Sequence, residues 1–334
     1  ISHRSIIIPS ISMGISEINN LLMSDDVLHT LNAFKKLGVK IENSNNKFIV
    51  HGKGLNSLKK PDTNIYLGNS GTSARLLTGL LIHSKNNIKI IGDKSLSKRD
   101  FSRIIKPLEK SGAKFISNNG KLPIIIKGTK NPKPIKYFEN RGSAQCKTSI
   151  MFASLNTKGT TIIKAKKSRN HTELLFKYLN LPIKITNKKS YDLIKINGKK
   201  SISSFNYNIP SDISSSAFFI VLTALSINSK LTLKNVNINP SRVGIIKILK
   251  MMGVKIIYKN IRYYKGEKVS DIHVKSAKFL KPINCPSSLN SSAIDEFLVI
   301  FLIAAKAEGV SFFKNLGELN KKESPRLKWG SKIL

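Results

Sequence analysis

Five short segments of this chain gather residue types that hold anions or move protons. Residues 67–77, LGNSGTSARLL, set a glycine-bearing turn directly before an apolar helical run. Free backbone N–H groups and the helix dipole favour an anion at such a start, and Arg75, one turn in, can fork onto a carboxylate or phosphate. The GxxxxGK spacing of a P-loop is absent, and an ordinary capped helix with a surface arginine satisfies the same letters. Residues 92–103, GDKSLSKRDFSR, collect Lys94, Lys98, Arg99 and Arg103 near another helix start, where a solvated basic face is the plainer reading. Residues 168–173, SRNHTE, bring Ser168, Arg169 and His171 together, the histidine being either a base or a capping or exposed residue. In SAIDEF, Asp295 and Glu296 head a very apolar helix, a place where acids ordinarily complement the dipole. In ELNKKESPRL, Lys322, Glu323 and Arg326 also fit a salt-bridge cluster at a helix start.

These segments share one phase of an internal repeat. A helix, a glycine-marked turn and a strand recur as HTLNAFKKLGVKI, RIIKPLEKSGAKF and GIIKILKMMGVKI, with a weaker copy, ELLFKYLNLPIKI, that lacks the glycine. Leu31, Phe34 and Leu37 recur at helical spacing, so one face is buried. Gly38, Gly112 and Gly253 stand where a helix ends in a left-handed residue. Small polar residues opening an apolar helix alternate with that segment: GNSGTSARLLTGLL, GSAQCKTSIMFASL, SDISSSAFFIVLTAL, SAIDEFLVIFLIAA and the opening ISHRSIIIPSI. The repeat is about seventy residues and reads βαβαββ, an α/β fold. One helix terminus favours an anion by about 0.3–1 kcal/mol and one charge-assisted hydrogen bond by about 1.5–3 kcal/mol. Micromolar binding needs about 8 kcal/mol, so several helix starts and several cations must converge on a highly charged ligand. The final RLKWGSKIL takes the place of a repeated helix and stops before its glycine turn. A core helix ending there would leave its apolar face uncovered, so truncation is expected at the C-terminus. The opening at a helix start, without its preceding strand, points to truncation at the other end too.

The chain has 334 residues, 40% of them hydrophobic, enough for two cores. Residues 297–305 form the longest apolar run, too short to span a membrane. Lys and Arg total 57 against 19 Asp and Glu, a formal charge of +38. Nucleic acid, anionic membrane and anionic small molecules all suit such a charge. The abundance of Lys, Ile, Asn and Ser marks an AT-rich coding sequence, so most of the charge is read as compositional. Aromatics are only 7% and no basic stripe with stacking residues stands out. The two cysteines, Cys146 and Cys285, make no metal motif or disulfide framework, which fits a reducing cytoplasm.

Taken in order, GNSGTSAR, GDKSLSKR, SAQCK, SRNHTE, NPSRVG, IDEF and KESPR resemble the signature segments of the 5-enolpyruvylshikimate-3-phosphate synthase family. The resemblance runs over nearly the whole chain. It implies two domains of βαβαββ units, an inverse α/β-barrel-like arrangement, closing like a clamp on the substrates. Residues 1–207 would form a three-repeat domain carrying most shikimate 3-phosphate contacts and part of the phosphoenolpyruvate contacts. Residues 208–334 would be an incomplete second domain carrying the acid and base. Gly71, Thr72, Arg75 and Arg99 match the phosphoenolpyruvate site, with Gln145 and Arg326. Arg4, Ser143, Ala144, Gln145 and Arg169 match positions that hold shikimate 3-phosphate. Asp295 matches a carboxylate on the reacting 5-hydroxyl, Lys322 a lysine reaching the same substrate, and Glu323 a proton donor near the enolpyruvyl carbon.

The implied reaction transfers the enolpyruvyl group of phosphoenolpyruvate to the 5-hydroxyl of shikimate 3-phosphate by addition and elimination, releasing phosphate. It needs no metal or other cofactor, and the implied protein is a monomer with small-molecule partners, neither nucleic acid nor membrane. The family's opening GDKS and its late arginine and lysine motifs are missing, so an inactive fragment is expected. Pro325, Asn170 and Ser211 replace the family's usual Asp, Asp and Gly; a proline in a first helical turn is tolerated. Gly71, where some members carry alanine and exclude glyphosate, implies a glyphosate-sensitive enzyme. Two other readings compete with this one. The sister transferase acting on UDP-N-acetylglucosamine usually carries a cysteine in the loop corresponding to GDKSLSKR, and none lies there. A basic nucleic-acid-binding repeat protein would use the charge alone.

Overall fold

The computed structural model describes the whole chain except Asn46, Lys199, Lys322 and Glu323, and the side chains of Lys321 and Ile333. The chain divides into two units, Ile1–Ile209 and Pro210–Leu334.

The first unit is built from three repeats. The first holds α1 (Ser2–Ser10), β1 (Met13–Asn19), α2 (Asp25–Lys36), β2 (Lys40–Ser44) and β3 (Lys47–Lys53). The second holds β4 (Ile65–Tyr66), α3 (Gly71–Leu81), β5 (Asn87–Ile91), a single turn α4 (Lys94–Ser97), α5 (Ser102–Lys110), β6 (Lys114–Asn118) and β7 (Lys121–Lys127). The third holds β8 (Lys136–Glu139), α6 (Ala144–Ser154), β9 (Thr160–Lys166), α7 (His171–Tyr178), β10 (Ile183–Asn187) and β11 (Tyr191–Asn197), followed by β12 (Tyr207–Asn208). Each repeat makes one four-stranded sheet of the same topology: β12-β1-β3-β2, β4-β5-β7-β6 and β8-β9-β11-β10. The outer pair of each is parallel and the rest antiparallel.

The opening helix therefore does not lack its strand. β12 comes from the far end of the unit and pairs with β1, Ile18 against Tyr207. In this sheet the place that β4 and β8 hold in the other two is filled by a distant stretch rather than by the preceding one.

The helices fall into two classes. α2 is amphipathic, burying Val27, Leu31 and Phe34, with Asp25 and Asp26 in its first turn and Lys35 and Lys36 in its last, as the dipole favours. α1, α3 and α6 are buried on nearly every side, with serine, threonine and glycine among the aliphatics. The small residues let these helices approach closely; a Cβ on Gly79 of α3 would lie 2.0 Å from the Ser149 carbonyl oxygen of α6. Helix ends follow the glycine pattern, with Gly38, Gly112 and Gly253 at positive φ. In the copy without glycine, Asn180 takes that conformation at φ 53°, as asparagine tolerates.

The second unit opens with the same plan: α8 (Ile213–Leu225), β13 (Lys230–Asn237), α9 (Gly244–Met251), β14 (Ile256–Tyr264) and β15 (Glu267–Lys275), in sheet order β13-β15-β14. A parallel bridge of Ser211 with Val236 stands at the first-strand position. There follow β16 (Asn284–Cys285), a 3-10 segment Ser287–Ser292, α10 (Phe297–Ala304), β17 (Phe312–Phe313) and α11 (Arg326–Ile333), with β16 and β17 parallel. Ile220, Ile246, Leu249, Ile272, Phe297 and Ile300 are among the fully buried residues of one core. α11 is mostly exposed, Trp329 being 50% accessible, while Leu327 packs against that core. α8 and α10 do expose Phe218, Phe219, Leu222, Leu298 and Leu302. Among the described residues no helix is long and apolar enough to cross a membrane.

Candidate active site

In the first unit the signature residues collect at the N-termini of α1, α3, α6 and α7. Ser70 caps α3 by accepting from the Ser73 N–H, and Ser143 caps α6 by accepting from the Cys146 N–H. The α3 turn therefore starts the helix at Gly71 and sets Thr72 and Arg75 one helical turn apart on one side. Gln145 of α6 joins them. Its Nε2 donates to Thr72 Oγ1 at 2.8 Å, and its Oε1 accepts from Arg75 Nη1 at 2.9 Å. Arg75 Nη1 also reaches the Gly71 carbonyl at 3.3 Å, and its guanidinium lies 4.9 Å from the Phe101 ring centroid.

Arg99 arrives from the turn after α4 and donates to Asn69 Oδ1 at 2.7 Å. Of the four cations in residues 92–103, Lys94 and Lys98 are exposed while Arg99 and Arg103 are half-buried. Burial above all, with repulsion from Arg99 and Arg103, pushes the Arg75 pKa down; Cys146 and Asp100 act the other way. Arginine nonetheless stays charged in proteins. The result is a partly desolvated positive cluster beside two helix N-termini, a setting suited to a small dianion.

Ser143 and Ala144 open α6 next to Gln145. Their loop is fixed by Glu139, a buried residue ending β8, which accepts from Arg103 Nη2 at 2.6 Å and from the Ser143 N–H at 2.8 Å. Arg4 sits near the start of α1 and is 9% accessible. Its Nε donates to Thr172 Oγ1 at 2.6 Å and its Nη2 to Thr148 Oγ1 at 3.4 Å. Arg169 is half-buried in the loop before α7. His171, weighed as a base, is 4% accessible within α7.

In the second unit Asp295 and Arg326 meet: Arg326 Nη1 donates to Asp295 Oδ1 at 3.0 Å, in a half-buried pair. Pro325 occupies the N-cap of α11, before the first helical N–H, so it removes no helical hydrogen bond. Beside Asp295, Glu296 is buried and accepts from Ser214 Oγ. Arg242 Nη2 reaches Ser214 Oγ at 2.6 Å and Asp212 Oδ1 at 3.0 Å. Burial alone would raise the Asp212 carboxyl, but Arg242 and the Ser215 N–H bring it below its ordinary value. Lys322 and Glu323 lie outside the described residues.

Sequence reasoning gave no role to Asn69, Phe101, Glu139, Thr148, Thr172, Asp212, Ser214 or Arg242, although all but Glu139 stand inside segments it had quoted. Their partners lie tens to more than a hundred positions away, and no local spacing carries that signal. Among the described residues no group of three or more His, Cys, Asp or Glu could hold a metal ion.

The sequence profile of the family described as EPSP synthase (3-phosphoshikimate 1-carboxyvinyltransferase) matches residues 1–332. A 3-phosphoshikimate 1-carboxyvinyltransferase from Ruthia magnifica subsp. Calyptogena magnifica is 44% identical over 328 residues, 98% of this chain and 74% of that protein. One from Legionella pneumophila (strain Philadelphia 1) is 42% identical over 329 residues, 98% of this chain and 75% of that protein. The solved EPSP synthase of Acinetobacter baumannii superposes with TM-score 0.89 at 38% identity, covering 99% of this chain and 74% of that one. The enolpyruvyl transferase NikO of Streptomyces tendae, at 14% identity and TM-score 0.66, shares the fold over 92% of this chain and 70% of its own. Against the expectation of a fragment with an incomplete second domain, similarity runs through 98–99% of the chain, the second unit included, and over 74% of the length of those proteins.

Proposed function

The chain belongs to the EPSP synthase family, whose reaction carries the enolpyruvyl group of phosphoenolpyruvate to shikimate 3-phosphate by addition and elimination, and from that premise we propose how its residues divide the work. Residues of the first unit take most of the shikimate 3-phosphate contacts and part of those to phosphoenolpyruvate; the second unit supplies the acid and base. Arg75, Arg99, Gly71, Thr72 and Gln145 take the phosphoenolpyruvate anion, with Arg326. Arg4, Ser143, Ala144, Gln145 and Arg169 hold shikimate 3-phosphate, with Lys322. The observation that carries this reading is the Arg75–Gln145–Thr72 network beside Gly71 and Arg99.

Asp295 takes the proton of the 5-hydroxyl as its oxygen bonds to the middle carbon of phosphoenolpyruvate, while Glu323 protonates the methylene carbon. In elimination the methyl group returns a proton to Glu323, the bond from carbon to phosphate oxygen breaks, and Asp295 gives its proton to the departing phosphate. Preorganised guanidinium groups stabilise the charge that develops on the way, and each proton transfer contributes about 10²–10⁴-fold. The two cysteines are buried and unpaired, which supports a reducing, cytoplasmic setting.

The test is phosphate release from phosphoenolpyruvate with shikimate 3-phosphate, and separately with UDP-N-acetylglucosamine. Release only with the former, falling about 10²–10⁴-fold in Asp295→Asn, is expected. Full activity in Asp295→Asn would remove that residue from the chemistry.

A further inference from the structure

Arg4 is held by two hydroxyls from different helices. Thr172 of α7 and Thr148 of α6 both accept from its guanidinium, and the two hydroxyls bond each other at 2.9 Å. Arg4 and Thr172 are 168 residues apart, so this ring joins the first repeat to the third. Directly beside the threonines in sequence stand Lys147 and Glu173, whose side chains pair at 2.5 Å and are 0% and 3% accessible. A buried ion pair is a weak source of stability, since apolar residues of similar volume usually do as well. What such a pair does impose is register, because each charge must meet the other. Here the register it sets is that of α6 against α7, at the level where the two threonines receive Arg4.

We propose that Thr148 and Thr172 are positioning residues for Arg4, and that the buried Lys147–Glu173 pair holds their helices so that both hydroxyls face its guanidinium. A guanidinium is a planar fork with fixed donor directions. Fixing Nε and Nη2 on two acceptors fixes the plane in which the group meets a ligand. The inference rests on the assignment of Arg4 to shikimate 3-phosphate.

The experiment measures shikimate 3-phosphate affinity of the whole chain by calorimetry, with melting temperature as control, for Arg4→Ala, Thr172→Val, Thr172→Ser and the double variant Lys147→Met/Glu173→Leu. Thr172→Val keeps the shape and removes the acceptor, so Kd should rise about 10- to 100-fold, the worth of one hydrogen bond to a charged group. Thr172→Ser should bind close to the parent. The double variant should keep its melting temperature yet weaken binding about tenfold, with little further loss when Arg4→Ala is added. Folded Thr172→Val and double variants that bind like the parent, while Arg4→Ala loses affinity, would overturn the positioning role and leave Arg4 in place. An Arg4→Ala variant that binds normally would instead refute the assignment of Arg4, and the inference with it.

Discussion

A methyl group at residue 71 would lie 2.7 Å from Arg99 Nη1 and 2.9 Å from Arg75 Nη1. Those atoms end flexible side chains, so they can retreat at little cost to the fold, but they would retreat from the position assigned to an anion. Gly71→Ala is therefore expected to leave the melting temperature nearly unchanged and to raise the KM for phosphoenolpyruvate about tenfold, the loss of roughly one hydrogen bond to charge. The family resemblance implies that glyphosate competes for the same position, so the parent should be inhibited and the variant less so; an inhibition curve of the parent that stays flat at high glyphosate would refute this. His3 gives a second residue-level expectation. Burial above all, with Arg4 adding to it, pushes its pKa from 6.5 down to about 3. Its Nδ1 bonds Thr30 Oγ1 at 2.8 Å, and a further contact runs to Ser73. Between those two pH values the unfolded chain binds a proton that the folded chain does not. Stability contributed by neutral His3 is thus full above pH 6.5 and is lost as pH falls toward 3. Urea midpoints across that range should decline less steeply in His3→Gln, which cannot titrate.

At the scale of elements, α3 meets α6 through Gly79, where a Cβ would sit 2.0 Å from backbone oxygen that cannot swing aside. Gly79→Ala must push the helices apart, costing at least about 1–3 kcal/mol. It should also loosen the Thr72–Gln145–Arg75 network carried by the same two helices. A melting temperature equal to the parent's would show that the helices have slack. Elements were also where the sequence was most legible. The helix–glycine–strand copies give α2, α5 and α9 with their left-handed ends, because the apolar period and the terminal glycine are local signals. The fourth copy, α7, ends on Asn180, which fills the same conformation without the expected letter. What the sequence left hidden was non-local. β12 reaches β1 across the whole first unit, and the exposure of α11 depends on neighbours that its nine-letter string does not name. The site divides in the same way. Arg75, Arg99, Gln145 and Asp295 were visible as motifs, whereas Glu139, Thr148 and Asp212 become meaningful only through the folds that bring them close.

Over the whole molecule, 57 basic residues face 19 acidic ones. The sheets show the consequence directly, since Lys114 stands opposite Lys127, Lys184 opposite Lys195, and Lys230 opposite Lys275. Like charges across strands destabilise by about 0.2–1 kcal/mol each. Added salt shortens the screening length from about 30 Å at 0.01 M to about 8 Å at 0.15 M. Urea midpoints should therefore rise with salt over that range, and less so in Lys184→Glu. A midpoint indifferent to salt would mean that bound counter-charges already neutralise the sheets.

The strand β12 also has a meaning in time. A ribosome delivers β1 about 190 residues before it delivers Tyr207 and Asn208, and at about 5–20 residues per second that gap lasts roughly 10–40 s. Throughout it the nascent chain carries β1 as an unsealed edge, the kind of template on which strands of neighbouring chains can nucleate. Closure of the first sheet is thereby a late event of synthesis. The three repeats, alike in space, do not finish in the order in which they are made.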